Sequence, residues 1–260
     1  RMSRGLGDVY KRQDLATVTP APTIGHFSDY DLAPPLSESI RVQSTQRHGL
    51  DLHFVPLGEQ STAYYALQHS QQRLAEDAQY YLSSHTLPSR DVSPLNDQIL
   101  PQPFLETLSQ SSLPGVVIGE AYHEQAGKAF LIEHMGTLKA LQFDTLYVDH
   151  LFTDLHLADL EKFRQSKSLS PSLKDHLKRQ DAAHMSLYSG PNTYSEVVQH
   201  ANKFGIRVRP LNCLASYYLK RTPPKVRNQM FSYFAAQAIN ADQAAAGPHK
   251  WVALIGRHHT

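Results

Sequence analysis

Acidic residues and histidines follow the short apolar runs of this sequence. The run at 115–119 is followed by a glutamate, and acidic residues or histidines also lie at or just after the ends of two later runs. The groups concerned are Glu120 and His123, Asp149 and His150, and His258 and His259. A carboxylate that orients an imidazole can activate water, with the ring taking the proton. Carboxylates and neutral imidazoles also bind divalent metals. The residue types therefore indicate hydrolysis, either with a divalent metal or without one.

The elements that must position these groups alternate between strands and helices. Apolar runs predict strands at 115–119, 145–149, 206–212 and 249–256. Helical spacing predicts helices at 124–141, 154–165, 170–185, 194–204 and 225–246. This alternation predicts an α/β fold with a mainly parallel sheet and helices on both faces. Because ligands bind outside the carboxyl ends of parallel strands, we expect the candidate groups to meet at one edge of the sheet.

The α/β part is preceded by a different kind of sequence. Residues 14–102 predict an irregular and mostly helical N-terminal segment. Its predicted elements are a strand at 50–57, a helix at 62–84 and a Pro-rich linker at 87–102. We interpret residues 1–13 as a sequencing-adapter artefact and assign the α/β domain to residues 103–260. The sequence stops just after the last predicted strand, where a covering helix is expected, so we interpret the chain as a fragment truncated at its C-terminal end.

Charge and cysteine content narrow the class of function. The 260 residues carry 25 basic and 24 acidic side chains, a net charge of +1, so no strong field attracts nucleic acid. The single cysteine, Cys213, cannot form an intrachain disulfide and fits a reducing compartment. No apolar run approaches the roughly 18 residues of a membrane span, and no signal-peptide pattern begins the chain. Membrane contact is therefore expected only through flanking regions.

Some residues are secondary candidates for the site. They are His150, His258, Arg227 and Cys213. Arg227 belongs to a small basic cluster, whereas Cys213 follows the third predicted strand. A cysteine nucleophile needs a base or a cationic neighbour, and no local signature supplies one. Asp154 and His156 are expected to be solvated or to cap a helix. No motif for nucleotide binding or serine-hydrolase chemistry is present.

Three segments of the sequence resemble the signatures of a known superfamily. The segments are GEAYH at 119–123, LYVDHL at 146–151 and KWVALIGRHH at 250–259. They are similar to segments of the superfamily that contains erythromycin esterase, the Tiki proteases, TraB proteins, the haem-binding ChaN lipoproteins and a C-terminal domain of the Pasteurella mitogenic toxin. The resemblance is strongest to members found in membrane-targeted bacterial effector toxins. It extends over residues 110–260.

The resemblance implies a site made of Glu120, His123, Asp149 and His259, as catalytic residues or as ligands of a divalent metal. Asp149 stands where the toxin-type pattern has glutamate, and Asn212 stands where it has aspartate. The implied function is a hydrolase-like domain of a secreted or translocated bacterial effector, acting on an ester, lactone or peptide bond. The alternative is a non-catalytic toxin module that binds a partner, a metal or haem and positions a neighbouring catalytic domain. The target in a host or competitor cell is not indicated.

Overall fold

A computed structural model describes most of the α/β part of the chain and one long helix before it. The described residues are Tyr10–Lys11, Tyr30, 62–85, 101–110, 112–121, 125–184, 191–217 and 222–257. The strand predicted at 50–57 lies outside these residues, as does most of the linker predicted at 87–102. The candidates His123, His258 and His259 also lie outside them.

Strands and helices alternate through the described α/β part, as the sequence predicts. The strands are β1 (Tyr10–Lys11), β2 (Gly115–Glu120), β3 (Phe143–Phe152), β4 (Arg207–Asn212) and β5 (Lys250–Gly256). The helices are α1 (Thr62–Ser84), α2 (Pro101–Gln110), α3 (Ala126–Ala140), α4 (Thr153–Ser166), α5 (Pro171–His184), α6 (Tyr194–Lys203), α7 (Leu214–Tyr217) and α8 (Pro224–Ala246). The short helix α7 was not predicted.

The sheet has the spatial order β1-β2-β5-β3-β4. The pairs β2–β5, β5–β3 and β3–β4 are all parallel, and the two residues of β1 add an antiparallel edge to β2. The chain moves in one direction across the sheet from β2 to β4 and then returns, so that β5 lies between β2 and β3. Since parallel crossovers are right-handed, this reversal places helices on both faces of the sheet.

Two apolar layers confirm that the sheet is covered on both faces. On one face, Ile118 and Leu254 pack into a core with residues of α3, α4, α5 and α6. On the other face, Val117 and Ala253 pack with residues of α8 such as Phe231. Helix α1 packs outside α8 in a third cluster, which also contains Tyr30 and residues of α7. None of the described helices is long and apolar enough to cross a membrane.

The reversal of chain direction creates a switch point between β3 and β4. The segment after β3 enters the α4–α6 layer, whereas the segment after β4 leads through α7 to α8 on the opposite face. Neighbouring strands whose connections leave toward opposite faces open a crevice at their carboxyl ends, where ligands bind in open α/β sheets. Asp149 and His150 on β3 and Asn212 on β4 lie at these carboxyl ends.

Local sequence signals explain where several elements begin and end. Thr193 caps α6 through a capping box with Glu196. Gly205 follows that helix with φ +73°, a backbone region that glycine enters at little cost. Pro210 lies in β4, which is an edge strand and therefore tolerates a residue without an N–H. Thr153 is the first residue of α4, and its hydroxyl donates to the backbone carbonyl of Asn212.

Candidate functional site

Glu120 is the last residue of β2 and is held by three side chains. The Lys128 ammonium lies 3.1 Å from Glu120 Oε2, and the side chain of Lys128 is fully buried. His150 Nε2 lies 3.6 Å from Glu120 Oε1, and the Tyr194 hydroxyl donates a hydrogen bond to the same oxygen. Glu120 itself is only 2% exposed. Both oxygens of a buried carboxylate are therefore occupied by protein groups.

The close approach of α3 to the sheet brings Lys128 to Glu120. Gly127 precedes Lys128, and a Cβ at Gly127 would lie 3.2 Å from Ile118 Cγ2 and 3.3 Å from Leu254 Cδ1. A glycine here lets the first turn of α3 lie against β2 and β5. The Lys128 ammonium also lies 4.6 Å from the centroid of the Tyr194 ring, within the range of a cation–π interaction.

A bulge at the end of β3 presents Asp149 and His150. Val148 lies opposite Pro210 of β4, but the next paired residue of β3, Phe152, lies opposite Asn212. Three residues of β3, 149–151, therefore lie opposite a single residue of β4. Bulges of this kind re-aim side chains and are frequent near functional sites. Asp149 and His150 are both buried, with exposures of 1% and 2%.

Asp149 is fixed by groups from β4 and β5. The Asn212 amide donates to Asp149 Oδ1 at 2.6 Å and also to the Asp149 carbonyl oxygen. The Gly256 N–H donates to Asp149 Oδ2 at 3.0 Å. The side-chain oxygen of Asn212, Oδ1, accepts in turn from the Ser216 hydroxyl at 2.9 Å. Both Asp149 oxygens are thus hydrogen-bonded, and the carboxylate ties together the carboxyl ends of β3, β4 and β5.

The surroundings of Glu120 and His150 favour their charged forms. Burial opposes ionisation of Glu120, but His150, Lys128 and Tyr194 outweigh it and lower the Glu120 pKa to about 2. Burial alone would lower the His150 pKa, but the carboxylates of Asp149 and Glu120 raise it above the usual histidine value. The site therefore contains an ionised carboxylate beside an imidazole that tends to be protonated.

This arrangement suits Glu120 to orient a neighbouring group rather than to remove a proton itself. A carboxylate with a pKa of about 2 is a weak base near neutral pH. Held between an ammonium and an imidazole, it can fix the orientation and protonation of a histidine that contacts the substrate. In the part of the chain that the structure describes, the imidazole partner of Glu120 is His150, which was predicted only as a secondary candidate.

The structure brings together some of the predicted site residues and separates others. Glu120 lies beside His150, and Asp149 lies against Asn212. Arg227 lies in the first turn of α8, which packs on the face of the sheet opposite the one that α3 covers. Cys213 is fully buried, and its thiol lies 3.6 Å from Ser216 Oγ within the cluster formed by α1, α7 and α8. Such burial is typical of a small apolar core residue.

Among the described residues, no three or more His, Cys, Asp or Glu side chains form a group that could hold a metal ion. His123 and His259 lie outside those residues. The donors that are described are already engaged, since the Lys128 ammonium neutralises Glu120 and both Asp149 oxygens accept hydrogen bonds. A second cation beside Lys128 would be repelled. Glu120 and Asp149, as placed, do not fit a metal centre.

Two residues that contact Glu120, Lys128 and Tyr194, were not predicted from the sequence. Lys128 is three residues before Leu131 and seven before Met135, so it lies on the buried face of α3 with them. A lysine on the same helix face as an apolar stripe could have been noticed in the sequence. Lysine is almost never fully buried unless it is paired, so this position indicates a buried partner. Tyr194 follows the capping residue Thr193 and gave no comparable signal.

The fold is similar to those of two regions of bacterial toxins. One is RRSP, a MARTX toxin effector domain from Vibrio vulnificus CMCP6, with a TM-score of 0.57 and 20% identity over 75% of this chain and 40% of that chain. The other is the C-terminal region of Pasteurella multocida toxin, with a TM-score of 0.59 and 13% identity over 75% of this chain and 27% of that chain. The structural neighbours are toxin effector domains. At these identities the similarity shows a shared fold.

This chain spans less than half the length of either neighbour. The Pasteurella toxin region is described as having a thiol-protease-like catalytic triad, which is a property of that protein. No protein-family model and no curated protein matches the sequence. The membership of the erythromycin esterase and ChaN-like superfamily suggested by the sequence motifs stays a prediction.

Proposed function

We propose that the chain is a hydrolase-like domain of a bacterial toxin or effector, in which Glu120 and a histidine activate water. The observation that carries the proposal is the position of Glu120, a buried and ionised carboxylate beside an imidazole at the carboxyl end of β2. In open α/β sheets this edge is where substrates bind. The toxin effector domains with a similar fold support the broader class.

Two more histidines follow this edge closely in the sequence. Glu120 and Gly256 are paired in the parallel ladder between β2 and β5. His123 and His259 each follow one of these residues by three positions, and three residues of chain span at most about 11 Å. In the proposed mechanism His123 takes the proton of the attacking water, and the negative charge of Glu120 stabilises the imidazolium that forms. His259 is proposed to complete the site from the β5 side.

The mechanism is proposed to run without a metal, because Glu120 and Asp149 are already engaged by protein groups. Asp149 then has a supporting role, since its hydrogen bonds to Asn212 and Gly256 hold the strand ends together. The substrate class is a carbonyl compound open to attack by water, namely an ester, a lactone or a peptide bond.

A matched pair of variants tests the proposal. Glu120→Gln removes the carboxylate with little change of shape, whereas Glu133→Gln makes the same change at a glutamate whose side chain is 74% exposed. Both are assayed on a panel of ester, lactone and peptide substrates, with circular dichroism as the check of folding. We expect turnover by the wild type and by Glu133→Gln, and at least about 100-fold less by Glu120→Gln. Equal turnover by all three proteins would contradict the proposal.

The non-catalytic toxin module is a second candidate, and one observation favours it. Both oxygens of Glu120 and both oxygens of Asp149 are occupied within the protein, as in a purely structural network. On this alternative, the toxicity of a longer protein that contains this chain survives the double change Glu120→Gln and His123→Ala. Loss of toxicity in a folded double variant would favour the hydrolase-like function.

A further inference from the structure

Two buried histidines lie beneath the bulge that carries Asp149 and His150. His156 belongs to α4 and His176 to α5, and they are 4% and 5% exposed. The centroids of their rings are 4.0 Å apart. The Phe152 ring packs against both of them, with centroid distances of 5.6 Å to His156 and 5.9 Å to His176. The sequence had suggested a solvated or capping role for His156, and its burial contradicts a solvated one.

Each of these histidines hydrogen-bonds a backbone group in the bulge or directly after it. His176 Nε2 lies 2.8 Å from the carbonyl oxygen of His150. A carbonyl can only accept, so His176 carries a proton on Nε2. The Phe152 N–H donates to His156 Nδ1 at 3.0 Å, so His156 Nδ1 is unprotonated. The two rings thus satisfy one backbone acceptor and one backbone donor.

The His150 carbonyl lies within the irregular part of the ladder between β3 and β4, and the Phe152 amide lies where the pairing resumes. Register is lost between Val148 and Phe152, so a regular sheet does not supply the partners of the intervening backbone. Buried backbone groups without a partner are costly. The histidine contacts therefore stabilise the observed backbone conformation of 150–152.

We propose that His156 and His176 are positioning residues that act as a clasp on the bulge. By holding the His150 carbonyl and the Phe152 amide, they set the direction in which the bulge presents His150 toward Glu120. Neither side chain contacts the substrate in this proposal. The consequence for catalysis rests on the hydrolase-like function proposed above, but the consequence for the backbone does not.

The clasp is tested with pairs of substitutions that keep or remove the bonding atom. In His156→Asn the side-chain oxygen can replace Nδ1 as acceptor, whereas His156→Leu offers none. In His176→Gln the side-chain amide can replace Nε2–H as donor, whereas His176→Leu offers none. His200→Leu is the control, because His200 is a partly exposed residue of α6 that bonds only within its own helix in the contacts that the structure describes.

The first readout is amide hydrogen exchange of the full chain, measured residue by residue by NMR. We expect the Phe152 amide to exchange at least about tenfold faster in His156→Leu and to remain protected in His156→Asn. The amide of Val148, before the bulge, is the reference. Faster exchange at Phe152 alone indicates local opening, whereas faster exchange at both amides indicates a general loss of stability. Equal acceleration at Val148 and Phe152, or equal acceleration in the Asn and Leu variants, would overturn the clasp.

The second readout is the carbonyl carbon chemical shift of His150. It should move in His176→Leu and stay close to the wild-type value in His176→Gln. Where the chain hydrolyses a substrate, both Leu variants should lower kcat at least about tenfold with KM changed less than about twofold. If the wild type shows no turnover that depends on Glu120, the proposed function is wrong. The exchange and chemical-shift results would still test whether His156 and His176 hold the backbone of the bulge.

Discussion

The ammonium of Lys128 lies 3.1 Å from a carboxylate oxygen of Glu120, and neither side chain is exposed to solvent. A buried ion pair gains little net stability over apolar residues of similar size, because both charges lose their hydration. Removing one partner alone is costly, since the other charge then remains buried without compensation. The main effect of the pair is therefore the position that it imposes on Glu120.

The first prediction concerns this pair. Lys128→Met and Glu120→Gln should each destabilise the fold by about 3–5 kcal/mol, whereas the double variant should be less destabilised than either single variant. Urea unfolding of the four proteins measures the coupling. Lys139→Met is the control, because the Lys139–Asp144 pair is partly exposed and is expected to contribute no more than about 1 kcal/mol. Additive effects in the double variant would exclude the coupling.

The second prediction concerns the contact between α3 and the sheet. Gly127→Ala adds a methyl group where Ile118 and Leu254 already lie 3.2 and 3.3 Å away. These neighbours are fully buried, so we expect a loss of about 1–3 kcal/mol in the free energy of unfolding and a displacement of Lys128 from Glu120.

Gly136→Ala is the control for this change, since its new methyl group meets the ring of Phe204, which is 38% exposed and can move. For Gly136→Ala we expect a smaller loss in the free energy of unfolding, or a gain, because alanine has a higher helix propensity than glycine. If Gly127→Ala were as stable as Gly136→Ala in urea unfolding, the close approach of α3 would not constrain the site.

The third prediction concerns the dependence of stability on pH. Burial lowers the His176 pKa from 6.5 to about 4. The folded state therefore binds this proton less readily than the unfolded state, and stability is lost as the pH falls from 6.5 toward 4. The loss is on the order of 3 kcal/mol, because each pKa unit corresponds to about 1.4 kcal/mol. The pKa of His150 is raised in the folded state, so its contribution to stability is lost as the pH rises above 6.5.

His176→Gln isolates this contribution, since glutamine keeps a donor and does not titrate. We expect the difference in unfolding free energy between the wild type and this variant to change steadily between pH 6.5 and 4. Urea unfolding at half-unit pH steps measures it. A constant difference across the window would show that His176 is not the group responsible.

The fourth prediction concerns Asn212, where the toxin-type pattern has aspartate. The amide of Asn212 donates to Asp149 Oδ1 at 2.6 Å, so Asn212→Asp would place two carboxylates in contact. Like charges at this distance raise the pKa of one acid. We expect Asn212→Asp to be about 1–3 kcal/mol less stable than the wild type at pH 7.5 and to recover part of that loss near pH 5. A variant as stable as the wild type at pH 7.5 would show that Asp149 does not depend on the amide.

Helix and strand positions were largely determined by the sequence. The predicted helix at 62–84 agrees with α1, and the predicted strands at 115–119 and 249–256 agree with β2 and β5 within a residue. These boundaries follow from local chemistry, namely apolar periodicity and turn residues, which act over a few positions of the chain. The gathering of Glu120, Asp149 and His150 at one edge was also predicted, since parallel strands align their carboxyl ends.

Which groups touch at that edge was decided only by the tertiary structure. The insertion of β5 between β2 and β3, the bulge at 149–151 and the pairing of Glu120 with Lys128 all depend on contacts between distant parts of the chain. Local spacing predicts which face of an element a residue occupies, but not which element packs against that face. Strand order and backbone register determine which side chains meet, and both are set by how the whole sheet and its helices pack.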